Sequence, residues 1–132
     1  MEIIVKAKLP ISESDMRDII CNGYEGGIGY WYCSTDVERK EYDYISITGV
    51  DAEIAMDHDT IAQIEGAHID EHGELWVINA ETIKLGIERV FEKHTHNAEL
   101  IKALLEGDIG MIDAEGADVI IQLGIFGEVI YG

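Results

Sequence analysis

Metal chemistry is the first chemistry that the residue types invite. His94-x-His96, His58 and the His68-x3-His72 pair lie near Asp57, Asp59, Asp70 and Glu71 in the chain. Zinc needs three or four such ligands converging from fixed elements. His94 and His96 follow a helical pattern, the others fall in turns, and neither HExxH nor a spaced Cys/His quartet occurs. Solvated histidines and no bound metal are the expectation. Cys21 and Cys33 fall on a predicted helix and strand, where a thiol is usually a small core residue. No pair among 27 acids stands out for general acid–base work, and nine Lys/Arg leave little to clamp a phosphate. No catalytic residue and no cofactor are assigned, and the chain is expected not to be an enzyme.

A second constellation joins glycines to rings: Gly23-Tyr24-Glu25-Gly26-Gly27-Ile28-Gly29-Tyr30-Trp31-Tyr32-Cys33. The glycines can end a helix and open close approaches or special backbone angles. Tyr24, Glu25, Tyr30 and Trp31 are then candidates for one wall of a ligand pocket, with Glu25 as polar anchor. The plainer alternative is a helix end followed by a strand whose rings fill the core. A phosphate loop is excluded, because Lys-Ser/Thr is missing and a strand pattern follows.

Charge is the strongest global signal, a formal −18. Between Lys40 and Lys84 there is no base but eleven acids, and no base follows Lys102. Such a field repels nucleic acid and anionic membrane and speeds encounter with a basic partner. Asp57, Asp59, Asp70, Glu71 and Glu74 are the candidate partner-binding residues. Solubility or a salty habitat would explain the same charge.

A chain of 132 residues with 47% apolar content has enough material for one core, so 1–132 is expected to be a single domain. No signal peptide or membrane-spanning run is expected, and two cysteines are too few for a disulfide scaffold. Residues 2–9 alternate as a half-buried strand. Ser12 with Asp15 forms a shortened capping box, with Ile11 stapling to Met16, for a helix over 13–24. Ile28–Cys33 has strand composition, Ser34–Glu41 reads as a charged turn, and Tyr42–Thr48 as a strand paired with the previous one. Residues 50–63 are ambiguous between an acidic helix, which is favoured, and a loop with one strand. A hairpin is expected over 66–78. Asn79 caps a helix with Ile83, Ile87, Val90, Phe91 and His94 inward and Lys84–Glu88 paired outside. Asn97 caps a shorter helix ending at Gly107, with Leu100, Ile101, Leu104 and Leu105 inward. The fold class is α+β, a mostly antiparallel sheet packed against helices on one side.

The stretch Asp113–Gly132, DAEGADVIIQLGIFGEVIYG, is expected to organise the rest. Asp113 and Glu115 suit a first helical turn, and Ala117, Ile120, Ile121, Gly124 and Ile125 recur at helical spacing. Val119, Leu123 and Phe126 fill much of the remaining circumference, which describes a buried C-terminal helix. A continuous buried strand is the competing reading. Gly127 ends the helix, and Glu128–Tyr131 reads as a short last strand.

Glu25-Gly26-Gly27 followed by Tyr30-Trp31, together with the ending Gln122-Leu123-x-x-Phe126-Gly127-Glu128-x-x-Tyr131-Gly132, resembles small acidic proteins encoded by phages and prophages. That family has no established activity. Gly29 stands before Tyr30-Trp31 here, and Gly124 takes what looks like an alanine position, changes with no expected consequence for the fold. The resemblance implies a phage-borne accessory protein acting in the cytoplasm of a bacterial host. Such a protein would inhibit a host defence or nucleic-acid-handling protein, a CRISPR or restriction component among them, by occupying a basic groove. The alternative is a binder of a small molecule or nucleotide signal, or a small enzyme, using the Tyr24–Trp31 segment.

Overall fold

A computed structural model describes residues 8–41, 43–55 and 75–132. The first helix, α1 (Glu13–Gly26), starts as its sequence dictates. The Ser12 hydroxyl accepts from the Asp15 amide and the Asp15 carboxylate accepts from the Ser12 amide, satisfying two end donors reciprocally. Ile11 and Met16 both pack half-buried against the core.

After α1 the expected strand at Ile28–Cys33 does not form at its start. The amides of Ile28, Trp31 and Tyr32 donate to Gly23 and Ile28 carbonyls, which folds the run into a turn with Ile28 and Trp31 buried. Strand β1 is Tyr32–Lys40 instead, so the segment expected to be a charged turn is mostly strand. Its acids and bases sit on exposed positions while its main chain pairs with β2 (Asp43–Asp51), from Tyr32 opposite Asp51 to Lys40 opposite Asp43. The expected pairing of Ile28–Cys33 with Tyr42–Thr48 is therefore corrected: Asp43–Thr48 pairs with Asp36–Lys40, and Tyr32 and Cys33 lie opposite Asp51 and Val50. The tight connection passes through Glu41 at φ 59. A single turn, α2 (Ala52–Ala55), follows.

Strand β3 (Trp76–Asn79) runs antiparallel to β2, with Ile78 opposite Ile47, completing a three-stranded sheet of order β1-β2-β3. The expected strand at 2–9, apart from its end, the first arm of the 66–78 hairpin and most of 50–63 lie outside the described residues.

Asn79 caps α3 (Ala80–Lys93), accepting from Thr82 while Thr82 closes the box. Ile83, Ile87 and Val90 are buried, Phe91 is half-buried, and His94 caps the end. Asn97 caps α4 (Ala98–Glu106), burying Leu100, Ala103 and Leu104, but Leu105 faces solvent, contrary to expectation. Both α4 and α5 (Ala114–Phe126) end on a left-handed glycine, Gly107 and Gly127, a conformation without steric cost only for glycine. Asp113 caps α5 through the Gly116 amide at 2.7 Å.

Helix α5 carries Ala117, Ile120, Ile121 and Leu123 into a core shared with α1, α3, α4 and the sheet. The molecule is α+β with a buried C-terminal helix, and the competing reading of that stretch as a strand is set aside. Glu128–Tyr131, expected as a strand, joins no sheet; its amides find a side chain instead.

Candidate functional site

Beyond its first turn α5 has two polar residues in its apolar circumference, Asp118 and Gln122, four apart and so on one face. Both are buried. A buried carboxylate is tolerable only when donors surround it. Trp31 Nε1 and Gln122 Nε2 donate to Asp118 Oδ1 at 2.8 and 2.9 Å, and the Tyr30 hydroxyl donates to Oδ2 at 2.6 Å. Gln122 turns its oxygen to the amides of Ile130 and Tyr131 at 2.9 and 2.8 Å, and its nitrogen also reaches the Tyr131 carbonyl at 3.1 Å. The Tyr131 ring lies flat on Trp31, centroids 4.9 Å apart and planes 6° from parallel. Its hydroxyl donates to Asp51 at the end of β2. Spacing alone offered a signal here: two polar side chains at i, i+4 in an otherwise apolar helix must share a buried partner.

The chemistry of this network is that of a clasp. Both Asp118 oxygens accept from protein donors, three in all, which is how the burial of this carboxylate is offset. Burial first, then the Asp118 carboxylate, pushes the Tyr30 phenol up to about 12. Burial and Asp51 do the same to Tyr131, also to about 12. Burial raises Tyr32 and Tyr44 as well. Each folded value lies above the unfolded one, so the contribution to stability is complete below about pH 10 and is lost as pH rises through about 12. Urea-unfolding curves should give constant stability up to about pH 10 and a fall between there and about pH 12. A loss already complete at pH 10 would contradict the clasp.

The four residues proposed as a pocket wall divide between two clusters. Tyr24 bonds Ser34 at 3.0 Å and packs on Tyr44, whose hydroxyl donates to Glu25 at 3.3 Å. Tyr30 and Trp31 belong to the Asp118 clasp, and Trp31 is 2% exposed, ringed by Tyr32, Trp76, Phe126 and Tyr131. Gly23 and Gly27 serve close packing and not special angles: a Cβ on Gly27 would stand 2.4 Å from the Ala114 carbonyl oxygen. A cleft of about 210 Å³ opens elsewhere, where α4 and α5 begin, lined among others by Asn97, Glu99, Met111, Asp113 and Glu115.

Asp57, Asp59, Asp70, Glu71 and Glu74 lie outside the described residues, as do His58, His68 and His72. The His94 and His96 rings sit 4.1 Å apart, and burial followed by His96 lowers His94. No group of three or more metal-binding side chains occurs among the described residues. Burial, then Glu25, pushes the Cys21 thiol up, which reduces its thiolate fraction; Cys33 is exposed.

Three of the bases find partners within the chain, while Lys8, Arg39, Lys40, Lys84 and Lys102 stand exposed. Arg17 bonds Glu13 at 2.8 Å and Asp43 at 3.2 Å, the two ion pairs among the described residues; the expected Lys84–Glu88 pair is not one of them. Arg89 donates to the carbonyls of Leu123 and Gly124, and Lys93 to that of Gly127. These two side chains of α3 satisfy the free carbonyls at the C-terminal end of α5, where positive charge is favoured. Among the described residues, only the carboxylates of Glu13 and Asp43 form ion pairs. Among the described residues no helix is long and apolar enough to cross a membrane. No family model, curated protein or solved structure matches this chain.

Proposed function

We propose that this chain is a phage-borne, non-enzymatic inhibitor that acts in the cytoplasm of a bacterial host. Its acidic surface occupies the basic, nucleic-acid-binding groove of a defence or nucleic-acid-handling protein, a CRISPR or restriction component being the class in view. The observation that carries the reading is the fate of the bases. With a formal −18, the chain directs Arg89 and Lys93 to helix carbonyls and forms ion pairs, among the described residues, on Arg17 alone. A field built this way raises the association rate with a basic groove and repels competing nucleic acid.

Co-purification from host cells at low and high salt, followed by competition with duplex DNA, tests the proposal. Raising salt from 0.1 to 1 M shortens the screening length from about 10 to about 3 Å, so a charge-driven complex should dissociate. The captured protein should lose bound DNA as this chain is added. Asn or Gln at Asp57, Asp59, Asp70, Glu71 and Glu74 should weaken binding about tenfold or more, mostly through the association rate, without lowering the melting temperature. A captured partner that keeps its DNA in the presence of the chain sinks the proposal.

A further inference from the structure

We propose that α5 and Trp31 form a peptide slot that the chain fills with its own residues 128–132, and that an extended peptide carrying a tyrosine can take the same place from outside. Among the described residues, the segment makes no hydrogen bond from main chain to main chain. Its inward contacts include the Gln122 carboxamide, the Tyr30 hydroxyl, the Asp51 carboxylate, the face of Trp31 and the Phe126 ring. Val129 and Ile130 stand 39% and 49% exposed, so Tyr131 is the one large side chain of the segment that is held. Gly127, at φ 79, turns the chain from the last turn of α5 into this segment.

The walls do not depend on the occupant. Trp31 also packs on Tyr32, Trp76 and Phe126, and its indole donates to Asp118. Helix α5 lies against α3 and α1 through a separate set of buried residues. The slot therefore reads three things: a ring that stacks on indole, a hydroxyl that donates to Asp51, and consecutive amides that share the Gln122 oxygen. Neighbouring side chains point outward and are not read. That recognition fits a short extended peptide with tyrosine next to an apolar residue, and the sequence Glu-Val-Ile-Tyr-Gly meets it. A tethered occupant enjoys an effective concentration in the millimolar range, so a free peptide competes poorly against the intact segment.

Tyr131→Ala in the full chain removes the ring and its hydroxyl while leaving the walls intact. Its tryptophan emission should shift to the red, and acetyl-Glu-Val-Ile-Tyr-Gly should reverse the shift with saturation. The wild-type emission should not respond to the same peptide, nor should Tyr131→Ala respond to acetyl-Glu-Val-Ile-Ala-Gly. Absence of saturation, or an equal response to the alanine peptide, overturns the proposal. Hydrogen exchange on the wild-type chain decides the matter independently, including the case in which Tyr131→Ala fails to fold. The Ile130 and Tyr131 amides should exchange at least about 100-fold faster than those of Ile120 and Ile121, because a slot that exchanges occupants opens locally. Equal protection of both pairs would make the segment a permanent part of the core and overturn the slot.

Discussion

Gly86→Ala should destabilise the fold by about 1–3 kcal/mol or more, although the same change on an exposed helix would stabilise it by about 1 kcal/mol. The sign is the test. A Cβ at position 86 would stand 2.1 Å from the Ile120 carbonyl oxygen and 3.0 Å from its carbon. Both are main-chain atoms of α5, so no rotamer change relieves the contact, and α3 and α5 must move apart. On the opposing helix, a Cβ at Gly124 would meet the Thr82 carbonyl oxygen at 2.2 Å. The two helices thus touch main chain to main chain at two places. Separation caused by either alanine relieves the other, so the double variant should cost less than the sum of the singles. Urea denaturation of the three variants measures this. A Gly86→Ala protein at least as stable as wild type would mean that α3 and α5 are not packed this closely.

The second large effect belongs to the buried face of α5. Ile120 and Ile121 are fully buried, and truncating either to alanine should cost about 2–5 kcal/mol. A chain of this size has about 5–15 kcal/mol of stability in total, so either variant should melt far below wild type. Phe126 is half-buried at the end of the same helix, its ring against Trp31, Trp76 and Tyr131. Phe126→Ala should therefore fall at the lower end of that loss and act through folding. Glu128→Gln, at an exposed position, should leave the melting temperature unchanged. Thermal denaturation followed by circular dichroism compares all four. A Phe126→Ala protein that melts like wild type but loses its partner would make this end of α5 a binding surface.

What was legible in the sequence is what short-range hydrogen bonds determine. Ser12 with Asp15, Asn79 with Thr82, Asn97 with Leu100 and Asp113 with Gly116 are each three residues apart, so residue type and spacing suffice to place the helix starts. Gly107 and Gly127 end helices for an equally local reason. The apolar circumference of α5 announced its burial, because a helix without a polar face has nothing to turn toward water. Tertiary structure decided the rest. Ser34–Lys40 is strand because β2 supplies its partners, and no property of those charged residues alone reveals it. No glycine from 23 to 29 is left-handed, and Gly27 instead packs closely on Ala114, far along the chain. Glu128–Tyr131 has the composition of a strand, yet the Gln122 side chain takes its amides before any sheet edge does. Asp118 and Gln122 were visible only as exceptions to an apolar pattern. Their role needed Tyr30 and Trp31, 88 and 87 residues away from Asp118, because a buried carboxylate is stable only where the folded chain brings donors to it.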